Sequence, residues 1–249
     1  MPGDFQSENA AEMPALSGSA KPVEMPPSAA QNEDLVLSQL NHRDLQSAVI
    51  EQISQNPAAM KSRKVLLAIA AHPQAPRRIA LRVIRELYPF ELMQFALTPA
   101  AAADLRRVAD ELLVARVASI TLGERISLAR RSSEMVAGAL LLDKETPVWQ
   151  AALENPRLTE RGVIRALERS SATATFVEAV SHHAKWSPRP EIRLALLRNA
   201  HTPLARALEF ARRLQPALLR DILHTSKLPE QTKAYLRKDC ERKGTRGGD

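Results

Sequence analysis

The sequence predicts an all-α protein and, within that class, an α-solenoid of about seven degenerate antiparallel helix pairs. Three observations lead there. Apolar helical runs keep ending in a His/Asn/Thr–Pro type corner, after which a second apolar run begins. The corners are Ala71-His72-Pro73-Gln74-Ala75-Pro76, Ala96-Leu97-Thr98-Pro99, Leu153-Glu154-Asn155-Pro156, Arg198-Asn199-Ala200-His201-Thr202-Pro203 and Leu223-His224-Thr225-Ser226-Lys227-Leu228-Pro229. Glycine is scarce: of eight, only Gly123, Gly138 and Gly162 lie away from the ends. So few residues free to take positive φ leave little room for hairpins or Gly-rich phosphate loops. The dominant residues, Ala, Leu, Arg and Glu, are good helix formers.

Taken in order, residues 1–34 are rich in Pro, Ala, Ser, Glu and Gln without apolar periodicity, and are expected to form a disordered acidic leader. The repeat domain is expected over 35–241. Leu35, Leu37 and Leu40, then Leu45, Val49, Ile50 and Ile53, mark two opening helices, and Asn56-Pro57 ends the second. Val65, Leu66, Ile69 and Ala70 form a face that stops at His72-Pro73. Pro76 suits a first helical position, where its missing N–H costs nothing, and Ile79, Val83, Ile84 and Leu87 follow. After a break at Tyr88-Pro89-Phe90 come Leu92, Met93, Phe95 and Ala96.

A longer helix over 101–119 carries Leu105, Val108, Leu112, Leu113 and Val117, and a break is expected at Gly123. Ile126, Leu128 and Ala129 lead through Ser132-Ser133 into Val136–Leu142. Val148–Leu153 pairs with Val163, Ile164 and Leu167. Phe176, Val177 and Val180 precede a longer loop with Trp186, Pro188 and Pro190. Ile192, Leu194, Leu196 and Leu197 pair with Leu204, Leu208 and Ala211. Pro216 opens a run through Leu218, Leu219, Ile222 and Leu223, and Tyr235 and Leu236 mark a closing helix. A basic, Gly-rich tail over 242–249 is expected to fray. Pro73 to Pro99 and Pro203 to Pro229 each span 26 residues, and Pro156 to Pro203 spans 47, about two units.

These corners resemble those of the HEAT-like and variant-leucine-rich-repeat α-solenoids of bacteria. The matching residues are the Leu/Ala-rich first helix, the corners His72-Pro73 and Asn155-Pro156, and Thr202-Pro203 opening a second helix, clearest over 64–87 and 148–236. The resemblance implies a stacked helical fold and is silent on chemistry, since such families include scaffolds, assembly factors and a few nucleic-acid enzymes. Residues 101–131 depart from the pattern, with no clean corner at Ser119-Ile120.

Charge is uneven. Residues 1–34 carry a net −5, so the remainder carries +12 of the chain's +7 total. Arginine outnumbers lysine 26 to 9, which either reflects compositional bias or suits bidentate contact with carboxylates and phosphates. In both cases the basic body favours acidic partners. Cys240 is the single cysteine, so no intrachain disulfide forms and a reducing, cytoplasmic location is expected. The N-terminus lacks the basic and apolar regions of a secretory signal, and the longest apolar run, Met135–Leu142, is too short to span a bilayer.

Arginine ladders are the candidate site. Arg78, Arg82 and Arg85 fall on one helical face, Arg161, Arg165 and Arg169 repeat at four-residue spacing, and Arg206 and Arg213 recur further on. Stacked helices about 10 Å apart would merge these into one cationic strip. The competing reading is a solvated face with Glu86, Glu168 and Glu209 as local partners. Trp149 is expected in the core. Trp186, beside Lys185 and Arg189, is either core cover or an exposed anchor or stacking platform.

No catalytic, cofactor or metal site is expected. None of the six histidines pairs at i, i+4, and no cysteine or carboxylate motif accompanies them. Cys240 sits between Asp239 and Glu241, whose charges disfavour a thiolate. No G-x-S-x-G, H-E-x-x-H or P-loop is present. The expected function is a non-enzymatic scaffold that binds an acidic protein segment through an arginine-lined face, with no membrane and no small-molecule substrate. The alternative is nucleic-acid binding of the HEAT-like DNA-glycosylase kind, which would want aromatics and a carboxylate within the basic groove.

Overall fold

In the computed structural model, described over residues 29–244 with side chains over 32–242, every regular element is helical. The order is α1 (Ala29–Leu40), α2 (Ser47–Gln55), α3 (Arg63–Ala71), α4 (Arg77–Glu86), α5 (Pro89–Ala96), α6 (Ala103–Arg116), α7 (Leu122–Arg131) and α8 (Glu134–Leu140). Then come α9 (Thr146–Leu153), α10 (Glu160–Glu168), α11 (Ala174–His182), α12 (Pro190–Arg198), α13 (Leu204–Ala211), α14 (Pro216–Thr225) and α15 (Glu230–Gly244). Short 3-10 turns at Ala59–Lys61 and Val117–Ser119 interrupt the run. No strand occurs among the described residues.

Most of these helices are too short to persist alone, since isolated helices under about 12–15 residues are marginal in water. They are started locally and held by packing. Ser62, Thr121, Ser133, Thr159 and Thr173 each accept the backbone N–H three residues on, and Pro89, Pro190 and Pro216 occupy first positions. Many of the helices pack on helices two further along: α1 on α3, α4 on α6, α6 on α8, α8 on α10, α10 on α12, α12 on α14, α7 on α9 and α13 on α15. One buried apolar cluster runs from Leu40 to Leu236.

The scarcity of glycine shapes how helices end. A left-handed glycine after the last turn is the common way to satisfy terminal carbonyls. Here Asn56, His72, Leu87, Arg169, His183, Asn199 and Ser226 close their helices in extended backbone, with ψ from 112° to 144°. The last carbonyls are then left without intrahelical partners. Side chains from two helices further on supply them. Asn199 Nδ2 donates to the Leu167 carbonyl at 2.6 Å and Ser226 Oγ to Leu197 at 2.7 Å, while His72 Nε2 donates at 3.0 Å to the carbonyl of His42 in the turn after α1, which also accepts the Leu45 N–H. Asn155 Nδ2 reaches Ala129 at 2.7 Å and Ser132 at 3.2 Å.

The same corner residues accept the N–H two residues on. Asn155 Oδ1 takes Arg157 and Asn199 Oδ1 takes His201, both at 2.8 Å; Ser226 Oγ takes Leu228 and His72 Nδ1 takes Gln74, both at 3.1 Å. An acceptor for the local turn and a donor for the distant carbonyl is what the position requires, and Asn, His and Ser each provide both. For His72 this pair of bonds assigns the proton to Nε2.

Three boundaries differ from the sequence expectation. Helix α1 begins at Ala29, so 29–34 are helical rather than disordered; Glu33 reaches Lys64 on α3 at 3.7 Å, and Val36, Leu37 and Leu40 join the core. Residues 1–28 of the expected leader and 245–249 of the expected tail lie outside the described residues, while 242–244 close α15. Gly123 does not break the chain. It lies inside α7, because Thr121 and Glu124 form a capping box that starts the helix at Leu122.

Candidate functional site: an arginine-flanked groove

Helix α8 lies between α6 and α10, and the face shared by these three is an open groove of about 700 Å³. Its floor is made of small residues, Gly138 and Ala139 on α8 and Ala166 on α10, with Met135 and Leu142 as apolar shoulders. Arg107 stands on the α6 side, and Arg165 and Arg169 on the α10 side.

Two glycines border the groove for different reasons. A Cβ on Gly162 would lie 3.2 Å from Leu158 Cδ1 and 3.4 Å from Glu134 Oε1. The tight approach is to Leu158, and the Glu134 carboxylate rests in ordinary contact with the first turn of α10, where Oε1 accepts from Thr159 Oγ1 at 3.0 Å and from Arg165 Nη2 at 2.8 Å. A negative charge there is favoured by the helix dipole. A Cβ on Gly138 would meet nothing within 4 Å, so that residue opens directly to the groove.

The charges are partly spent. Arg107 Nε bonds Glu111 Oε1 at 3.0 Å, one turn along α6, and Arg165 bonds Glu134. Arg169, exposed at the end of α10, makes no side-chain hydrogen bond or ion pair among the described residues. Exposed pairs of this kind are worth roughly 0–1 kcal/mol, so an incoming carboxylate can compete for both paired arginines.

Of the nine residues singled out in the sequence, the structure brings only Arg165 and Arg169 to this groove. Arg161 is exposed on α10 but does not line it. The first ladder belongs to the α2–α4 contact: Arg78 pairs with Glu51, and Arg82 Nη2 donates to the Ser54 carbonyl at 3.2 Å. Arg85 is exposed, and its carbonyl accepts from Arg116 Nη2 at 2.6 Å. The ladders therefore do not merge into one continuous free strip.

Arg206 is not a surface contact. It is 21% exposed, its Nε donates to the Ser181 carbonyl at 2.9 Å and its Nη2 to Ser187 Oγ at 2.6 Å, and its other arm pairs with Glu209. Arg213 reaches the same carboxylate at 3.5 Å. Burial and the nearby charges of Arg213 and Arg206 hold Arg193 below the ordinary arginine range, so Glu209 is balancing a crowded cationic cluster.

Trp186 is core, not an exposed anchor. It is 1% exposed and its Nε1 donates to the Leu153 carbonyl at 3.0 Å. The neighbouring cations cover its ring, with Lys185 Nζ 4.4 Å and Arg189 Cζ 5.2 Å from the centroid. Trp149 is buried as expected and meets Phe176 edge-on at 5.8 Å. Arg107 and the carboxylates Glu111 and Glu134 went unnoticed in the sequence. The available signal was the pair of glycines within helical segments, Gly138 inside an apolar run and Gly162 in the first turn of α10.

Among the described residues no group of three or more His, Cys, Asp or Glu could hold a metal ion, and no helix is long and apolar enough to cross a membrane. His72 and His183 are occupied at corners, His183 with Glu154 Oε1 at 3.1 Å and the Lys185 N–H at 3.1 Å. No family model, characterised protein or solved structure matches the chain.

Proposed function

We propose that the protein is an α-solenoid of about seven degenerate helix pairs, similar to the HEAT-like and variant-leucine-rich-repeat families, and that it acts as a non-enzymatic scaffold. Packing of helices on those two further along, and hydrogen bonds over the same interval, support the stacked arrangement. The partner is an acidic protein segment lying in the groove over α8. The observation that carries this is the set Arg107, Arg165 and Arg169 flanking a floor of glycine and alanine that lets another backbone approach closely.

A peptide fits better than a nucleic acid. Glu111 and Glu134 alternate with the arginines, and a phosphate backbone would meet them as like charges. No aromatic residue lines the groove, so bases have nothing to stack on. Met135, 38% exposed, and Leu142 offer apolar contact to a mixed peptide.

Fluorescence anisotropy with a labelled peptide alternating Glu with Ala and Leu tests the reading. Binding should saturate, weaken with salt, and be lost when Arg165→Gln and Arg169→Gln are combined. A random-sequence duplex that binds more tightly than the peptide, or a double variant that binds the peptide as the wild type does, would overturn it.

A further inference from the structure

A second cavity, of about 310 Å³, opens where the ends of α10, α12 and α14 come together. Arg169, Arg198 and Lys227 line it, each at or just beyond the last turn of one of these helices, with His201 and a single carboxylate, Glu168. The three cations are exposed, and none uses its side chain in a hydrogen bond or ion pair among the described residues.

A cation at a helix C-terminus ordinarily answers the helix's own carbonyls. Here carbonyls at the ends of α10 and α12 are already taken: Leu167 by Asn199 Nδ2 at 2.6 Å, Leu197 by Ser226 Oγ at 2.7 Å, and Arg198 by the Lys227 N–H at 3.0 Å. Elsewhere in the molecule arginines do this work. Arg116 Nη1 bonds the Leu87 carbonyl at 2.7 Å, Arg157 Nη1 bonds Arg131 at 3.1 Å, and Arg206 bonds Ser181. The Arg169 and Arg198 side chains are therefore not used at these carbonyls, Lys227 meets the Arg198 carbonyl through its backbone alone, and the three cations share a cavity with one opposing charge, Glu168.

We infer that this cavity binds a phosphate-type dianion, free or carried as a phosphomonoester. Two guanidinium forks from different helices give bidentate contact with tetrahedral oxygens, and the lysine adds a point charge. Three cations against Glu168 leave two positive charges, which match a phosphomonoester of about −1.5 to −2 at neutral pH. A lone carboxylate would leave one of them uncompensated. The site does not depend on the peptide groove. Arg169 borders both cavities, but Arg198 and Lys227 border only this one.

The test is a ³¹P NMR titration of the full chain with inorganic phosphate and, separately, with O-phosphoserine at low salt. Saturable binding is expected. Arg198→Gln and Lys227→Gln should each weaken it by about tenfold, whereas Arg107→Gln and Arg165→Gln leave it unchanged. Equal affinity for the two ligands identifies free phosphate as sufficient, and preference for the ester identifies a phosphorylated residue as the source. All four variants alter exposed side chains, and melting curves check that each is folded. Failure of the wild type to saturate, or equal weakening by the Arg107 and Arg165 variants, would overturn the assignment and leave only diffuse attraction to a basic surface.

Discussion

Asn155 and Ala129 lie 26 residues apart, and the Asn155 side-chain amide donates to the Ala129 carbonyl at 2.7 Å while its oxygen holds the Arg157 N–H at 2.8 Å. One side chain thereby closes its own turn and caps the helix two elements earlier. Repeated by Asn199 and Ser226, and by His72 toward the turn that follows α1, this arrangement links the low glycine content to the recurrent polar corner. It also accounts for many arginines, since Arg82, Arg116, Arg157 and Arg206 meet the same need with longer reach.

The apolar stripes should dominate stability. Leu167, 2% exposed, is expected to cost about 2–5 kcal/mol when changed to Ala. Leu208 is only partly buried and should cost less, and Arg161→Ala should stay within about 0.5 kcal/mol. Urea unfolding of the three variants checks the order, and equal losses at Leu167 and Arg161 would show the faces to be assigned wrongly.

The Arg125–Asp143 pair should behave as a buried salt bridge. Nη1 lies 2.6 and 2.5 Å from the two carboxylate oxygens, with the side chains 12% and 4% exposed, and Asp143 also accepts the Glu145 N–H at 2.9 Å. Asp143→Ala strands the guanidinium and should cost about 3–5 kcal/mol. Pairing Asp143→Ala with Arg125→Met should recover part of that loss. A double variant less stable than the single one would contradict the reading.

Asp110 should give a pH signature. Burial pushes its carboxyl above the ordinary aspartate range, while the Ser133 hydroxyl and the Arg106 charge pull it down. The native state then holds this proton to higher pH than the unfolded chain does. Between the unfolded value of about 3.9 and the raised native one, this residue's contribution to stability falls as pH rises. Asp110→Asn removes that contribution, so the variant should gain on the wild type as pH increases through the window. Thermal melts from about pH 4 to 7 measure it, and a variant that loses ground with rising pH would contradict it.

Trp186 and Trp149 should report a dry core. Native emission should be blue-shifted and resist acrylamide quenching until unfolding. Trp186→Phe keeps the ring but strands the Leu153 carbonyl, a loss of about 1–3 kcal/mol. Emission already red-shifted in the native protein would place an indole in water.

Much of the helical plan was legible because its signals are local. The stripe Ile79, Val83, Ile84 and the proline that opens α14, Pro216, act within one helix. The start of α7 was misread at Gly123 because the Thr121–Glu124 box outweighs a glycine at the second helical position. The site was less legible for a physical reason. Whether an arginine is free depends on a partner far away in the chain: Arg206 is taken by Ser181, 25 residues back, and Arg78 by Glu51, 27 back. Arg169 resembles them in sequence but has no such partner among the described residues.

Urea unfolding of Asn155→Ala tests the central claim most directly. Asn155 is fully buried and joins two distant carbonyls to its own turn. Its removal leaves buried groups unsatisfied at about 1–3 kcal/mol each, so a total loss of at least about 2 kcal/mol is expected, with Asn155→Ser recovering part. A loss below about 0.5 kcal/mol, no larger than that of an exposed side chain, would show that these corners do not hold the helices together.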